Sequence, residues 1–187
     1  MIKRIILTIA LLCIAACASV DYPPTASEMV LFQNARAPMA FHDVGIIWRH
    51  AGSHKTNGIK ITTFVPTDET ERTAVRKIVM THYRNKPRYP INAYEYYINT
   101  VVADFNTQCY TSTSDIHLLE KASHEVLYSY QMYNCGKRAN QYVVGRVVQS
   151  RRSISSIAYI VKTDKLPAEA QRKAMLQLVA HARVIKD

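Results

Sequence analysis

Carboxylates and glycines are scarce in this 187-residue chain, which has 14 Asp+Glu against 24 Lys+Arg and only five Gly. Gly58, Gly136 and Gly145 are scattered, so no glycine-rich loop forms to cradle a phosphate. Seven prolines with five glycines exclude a collagenous or low-complexity chain. The sparse carboxylates show no paired spacing of the glycosidase kind. GxSxG, SxxK, HExxH and CxxC are all missing, so the sequence offers no catalytic motif and no metal-binding motif. No uninterrupted apolar run reaches about 18 residues, which excludes a multi-span helical membrane protein. Apolar residues at 48% and charged residues at 20% are ordinary values, so the chain is expected to fold as one domain around a sizeable core.

The N-terminus reads as an address. Lys3 and Arg4 precede the twelve apolar residues 5–16, IILTIALLCIAA, too short to span a bilayer and the right length for a signal-peptide core. The stretch ends in Ile14-Ala15-Ala16-Cys17, which resembles the bacterial lipobox. The resemblance implies a signal peptide over 1–16, a diacylglycerol on the Cys17 thiol and an N-acyl chain on the freed amine. No other cofactor is expected. Such chains, at about 0.8 kcal/mol per buried methylene, make a lasting anchor. Ala18 in place of Asp after the lipidated cysteine implies the outer membrane, with the domain in the periplasm. Cys13 leaves with the signal and Cys17 takes the lipid, so Cys109 and Cys135 remain. In an oxidising compartment these two read as a disulfide; a catalytic thiol or metal pair is the competing reading, and no nearby ligand cluster supports it.

Pro23, Pro24 and Pro38 mark residues 17–40 as a lipidated tether, on which Met29–Phe32 could dock, leaving a globular domain over 41–187. Val44–Trp48 and Ile59–Val65 read as a hairpin around a 52–58 loop. Asp68 and Glu71 have capping-box spacing before Ala74, Val75, Ile78 and Val79, which predicts a helix over 69–83. A second helix is expected from Ile91 to Phe105. Strands follow near 111–121, 126–133, 141–149 and 154–162, and Pro167 opens a final helix whose buried stripe is Met175, Leu178, Val179 and Ala182. The expected class is α+β, an antiparallel sheet covered by helices in the order ββ-αα-β(β)ββ-α. That element order is similar to the PsbP-like fold, a likeness without a shared motif and without functional content.

Seven histidines give no ligand spacing. His50 and His54 are separated by Gly52 and read as loop residues. His117 and His124 flank Glu120 on a solvated face, and His82 reads as a satisfied, half-buried histidine on the first helix. Thr111–Ser114 is a hydroxyl-rich turn. The charge map is more informative. Without residues 1–16 the chain holds 22 basic and 14 acidic residues, a net of +8. Two windows without acids, Arg72–Tyr94 and Val126–Thr163, contain six basic residues each. Segregated charge favours a surface field. Arg84, Lys86, Arg88, Arg151 and Arg152 are therefore the expected basic binding face, provided the fold brings them together.

Three functions are weighed. The leading one is a non-enzymatic scaffold or accessory subunit of an envelope assembly, such as a secretion or conjugation apparatus. The second is a binding module for anionic envelope polymers: lipopolysaccharide, anionic lipid or peptidoglycan. A hydrolase using His50, His54 or His117 comes third. Nucleic acid is disfavoured as a partner by the expected location.

Overall fold

The computed structural model describes residues 25–43, 45–84, 92–109, 116–135 and 139–185. Helix α1 (Ala26–Ala35) and the short strand β1 (Met39–Ala40) come first. Strands β2 (Trp48–Thr56), β3 (Ile59–Pro66) and β4 (Arg76–Arg84) follow. A continuous helical stretch then comprises α2 (Ala93–Tyr96), a π-helical segment Tyr97–Val102 and α3 (Ala103–Gln108). Strands β5 (Ile116–Ala122), β6 (Glu125–Met132), β7 (Gln141–Gln149) and β8 (Ser153–Lys162) precede α4 (Glu169–Ala180) and β9 (Arg183–Val184). The seven longer strands form one antiparallel sheet in the order β2-β3-β4-β8-β7-β6-β5, and β1 pairs with β9. The fold is α+β, an antiparallel sheet with helices packed on it.

Residues paired across an antiparallel sheet point to the same face, so the register sorts the side chains. Phe64, Ile78, Tyr159 and Val144 are successive partners across β3, β4, β8 and β7. They join Phe32 of α1 and Met175, Leu178 and Val179 of α4 in the main core. Phe41 sits edge-on to both Trp48 and Phe64 within it. On the opposite face Val126, Tyr128, Val147 and Ile154 pack under Ala93, Tyr96 and Tyr97. Gly145 lies directly beneath the Tyr128 ring, which a Cβ there would overlap. The Cys109 and Cys135 sulfurs lie at disulfide-bonding distance, tying the exit of α3 to the chain just past β6.

Three expectations change. Residues 69–83 are not a helix. Residues 76–84 form β4, hydrogen-bonded on both sides, because Ile78 and Met80 alternate with Val79 and Thr81 at a period of two. Asp68 and Glu71 belong to the turn between β3 and β4 instead, where the Glu69 carboxylate accepts from the Val75 amide at 2.7 Å. A hairpin does form, but its first strand is Trp48–Thr56, not 44–48: it runs through Gly52 and Ser53, and the turn is Asn57-Gly58 alone, both at positive φ. That is the two-residue geometry which Asn-Gly favours. Finally, the expected tether loses residues 25–40 to the domain. Thr25 caps α1 in a reciprocal box with Glu28, Phe32 is 1% exposed, and Met39 and Ala40 are buried. Residues 1–24, including Cys17, lie outside the described residues.

Candidate functional site

The β4–β8 pairing sets Arg84 opposite Ser153, immediately after the Arg151-Arg152 turn. All three arginines are exposed. One residue from each basic window is thereby brought to one end of the sheet. Lys86 and Arg88 lie outside the described residues. The windows are not uniform, however. Arg76 sits at the opposite end of β4, 3.8 Å from Glu69, and Arg146 is engaged by Glu125. Only part of the segregated charge is therefore free to act outward.

The same end of the sheet carries cations that lie outside both windows. The register continues Lys55–Lys60–His82–Ser155 across β2, β3, β4 and β8, placing these side chains on the face occupied by α1. Lys55 and Lys60 stand directly opposite each other, an arrangement that is unfavourable without a counter-ion. Lys60 reaches the C-terminus of α1, where its ammonium donates to the Ala35 carbonyl at 2.8 Å and to that of Arg36. A cation there is favoured by the helix dipole. Burial, with the Arg36 charge second, lowers the Lys60 pKa from its ordinary 10.5.

Arg36 closes α1 in the left-handed region, φ 48° and ψ 44°, a position usually taken by glycine. A side chain there costs about 1–2 kcal/mol. Between Arg36 and the Asn57-Gly58 turn lies a cleft of about 580 Å³, lined also by Ser53, Lys55, Lys60, His82 and Arg84. Among the described residues no carboxylate lines it. Ser53 donates to Thr62 across the hairpin at 3.1 Å and also meets His50 Nε2 at 3.0 Å. His82 Nδ1 lies 3.1 Å from Ser155 Oγ. These contacts fix Ser53 and His82, two of the residues that line the cleft.

Of the other histidines, His54 also lines the cleft and His42 pairs with Glu28 at 3.2 Å. His50 and His54 lie on β2, not in a loop, and His117 and His124 are exposed on and beside β5. Among the described residues no three His, Cys, Asp or Glu side chains group as a metal site. The Thr111–Ser114 run lies outside the described residues.

Sequence reasoning missed Arg36, Lys55 and Lys60 because each stands apart from the basic windows. A signal did exist. An Asn57-Gly58 turn of two residues forces Lys55 to face Lys60, and the broader 52–58 loop hid that pairing. No family model matches the chain, and no curated protein is significantly similar to it.

Proposed function

We propose that this chain is a membrane-anchored periplasmic lipoprotein, held at the outer membrane through Cys17, whose domain is a non-enzymatic binding module for anionic envelope polymers. One observation carries the reading: Arg84 and the Arg151-Arg152 turn share a sheet end with Lys55 and Lys60, and the cleft that Arg84, Lys55 and Lys60 line has no carboxylate among its described residues. Cations gathered this way attract phosphate or carboxylate groups at long range, and salt screens that attraction. The test is retention of the detergent-solubilised full chain on immobilised lipopolysaccharide as salt rises. Retention is expected to fall with salt and to be lost when Arg84, Lys86, Arg88, Arg151 and Arg152 are reversed to Glu. Retention by that variant equal to the parent's overturns the reading.

A second reading is an accessory subunit of an envelope assembly, such as a secretion or conjugation apparatus. The edge strand β5 supports it: residues 117–122 are all exposed, Leu118 and Leu119 among them. An open strand edge with apolar side chains is a template for strand addition by a partner. Crosslinking in intact cells followed by copurification from outer membranes should recover a stable complex; recovery as a free monomer alone counts against it.

A further inference from the structure

We infer that the cleft between the C-terminus of α1 and the β2–β3 turn is a specific site for a terminal phosphate or diphosphate group, formed by Arg36, Lys55, Lys60 and Arg84. The inference deepens the anion-binding reading and rests on it. Two local arrangements at this spot are unfavourable on their own and become useful around an anion. One is the directly opposed Lys55–Lys60 pair. The other is an arginine in the left-handed position that ends α1, where glycine would be free of strain. Features that break local rules together, on one cavity, mark a site where binding offsets the strain.

The donor chemistry narrows the ligand. Two of the three Lys60 ammonium hydrogens are directed to the Ala35 and Arg36 carbonyls, which fixes the group and leaves one hydrogen for a ligand. Arg36 and Arg84 add two planar forks suited to paired oxygens, and Lys55 adds a mobile point charge. Four cations exceed what a single carboxylate or a phosphodiester neutralises. A terminal phosphate carries about −1.5 to −2 and three acceptor oxygens, and a diphosphate carries more. The cleft volume of about 580 Å³ leaves room for the carrier of that group. The shared chemistry is thus a phosphate monoester end, whether on a soluble molecule or on a lipid headgroup.

The experiment is calorimetric titration of the full chain in neutral detergent, first with inorganic pyrophosphate, then with phosphatidate in the same micelles. Saturable binding of pyrophosphate is expected. Arg36→Gly and Arg84→Ala should each weaken it by about tenfold or more, as loss of a charge-assisted hydrogen bond does. Arg36→Gly also relieves the left-handed strain, so its thermal midpoint should not fall, which separates lost binding from lost folding. Arg151→Glu with Arg152→Glu, outside the cleft, should leave pyrophosphate affinity intact. Phosphatidate binding that is lost in Arg36→Gly identifies a lipid source; pyrophosphate binding without it identifies a soluble one. Absence of pyrophosphate binding, or equal affinity in Arg36→Gly, overturns the site. If lipopolysaccharide retention persists in that case, the broader anion-binding reading stands without it.

Discussion

Arg146 and Glu125 meet side-on, with Nε donating to Oε1 at 2.7 Å and Nη2 to Oε2 at 2.9 Å. The remaining nitrogen, Nη1, donates to the carbonyls of Ala180 and Ala182, each at 2.7 Å. One guanidinium therefore clamps β7 to the start of β6 and to the end of α4. This explains why Arg146, although it lies in a basic window, adds nothing to the outward field.

Removing that clamp leaves a partly buried carboxylate and two carbonyls without their donor. Arg146→Ala is expected to cost about 2–4 kcal/mol in urea denaturation. Arg146→Lys should recover only part of it, since an ammonium cannot span both oxygens. Hydrogen exchange should localise the damage to the last turn of α4. A loss below about 0.5 kcal/mol, the usual surface value, would show the clamp to be inessential.

Gly145 is required by Tyr128, whose deeply buried ring occupies the space a Cβ would enter. Gly145→Ala should destabilise by about 2–3 kcal/mol through overpacking. Shortening the facing side chain tests the cause: in a double-mutant cycle with Tyr128→Leu, the alanine should cost markedly less. Strict additivity of the two changes would refute the steric account.

The Cys109–Cys135 link closes a loop with a sequence separation of 26 residues. By the loop-entropy estimate it contributes about 3.5 kcal/mol. The Cys109→Ser, Cys135→Ser double variant should lose about that much stability and become insensitive to reductant. Equal denaturation midpoints for the parent with and without reductant would contradict the expectation.

Asp43 accepts a hydrogen bond from the Trp48 indole at 3.0 Å. Burial holds its carboxyl above the ordinary 3.8, opposed by that hydrogen bond and by the charges of Arg76 and His42. The folded state therefore binds this proton more tightly than the unfolded chain does. Asp43 favours folding at pH below its unfolded value, and that contribution is lost as pH rises through the folded value. Asp43→Asn keeps an acceptor for the indole and should remove this slope, leaving the protein at least as stable at neutral pH. Trp48 is the chain's only tryptophan, so its emission reports the site directly. A lower midpoint for Asp43→Asn at pH 7 would reverse the assignment.

Much of the architecture was legible locally. The strands 126–133, 141–149 and 154–162 correspond to β6, β7 and β8 within a residue or two, because alternation, turn residues and β-branched side chains all agree there. The final helix is read from Pro167 and a stripe at three- and four-residue steps, three of whose residues are buried within α4. The failure at 69–83 is instructive. Ala74, Val75, Ile78 and Val79 fit a helical stripe, and only pairing with β3 and β8 makes Ile78 and Met80 the inward set. Short apolar runs fit both periods, and tertiary contacts choose between them. Residues 25–40 show the same limit: proline content argued for a tether, while burial of Phe32 and Met39 draws the segment into the core.

By itself the sequence determined the α+β class, the cysteine pair and the uneven distribution of charge, all properties of composition and short-range pattern. What only the tertiary structure decided is which charges act together. Arg84 pairs with Ser153 across β4 and β8 and so comes to the end of the sheet where the distant Arg151-Arg152 turn lies, whereas Arg76 and Arg84, close in sequence, stand at opposite ends of one strand. An extended strand advances about 3.3 Å per residue, so nearby residues separate while register joins distant ones. Lys55, Lys60 and Arg36 come to line one cleft only through the Asn57-Gly58 turn and the packing of α1 against β2.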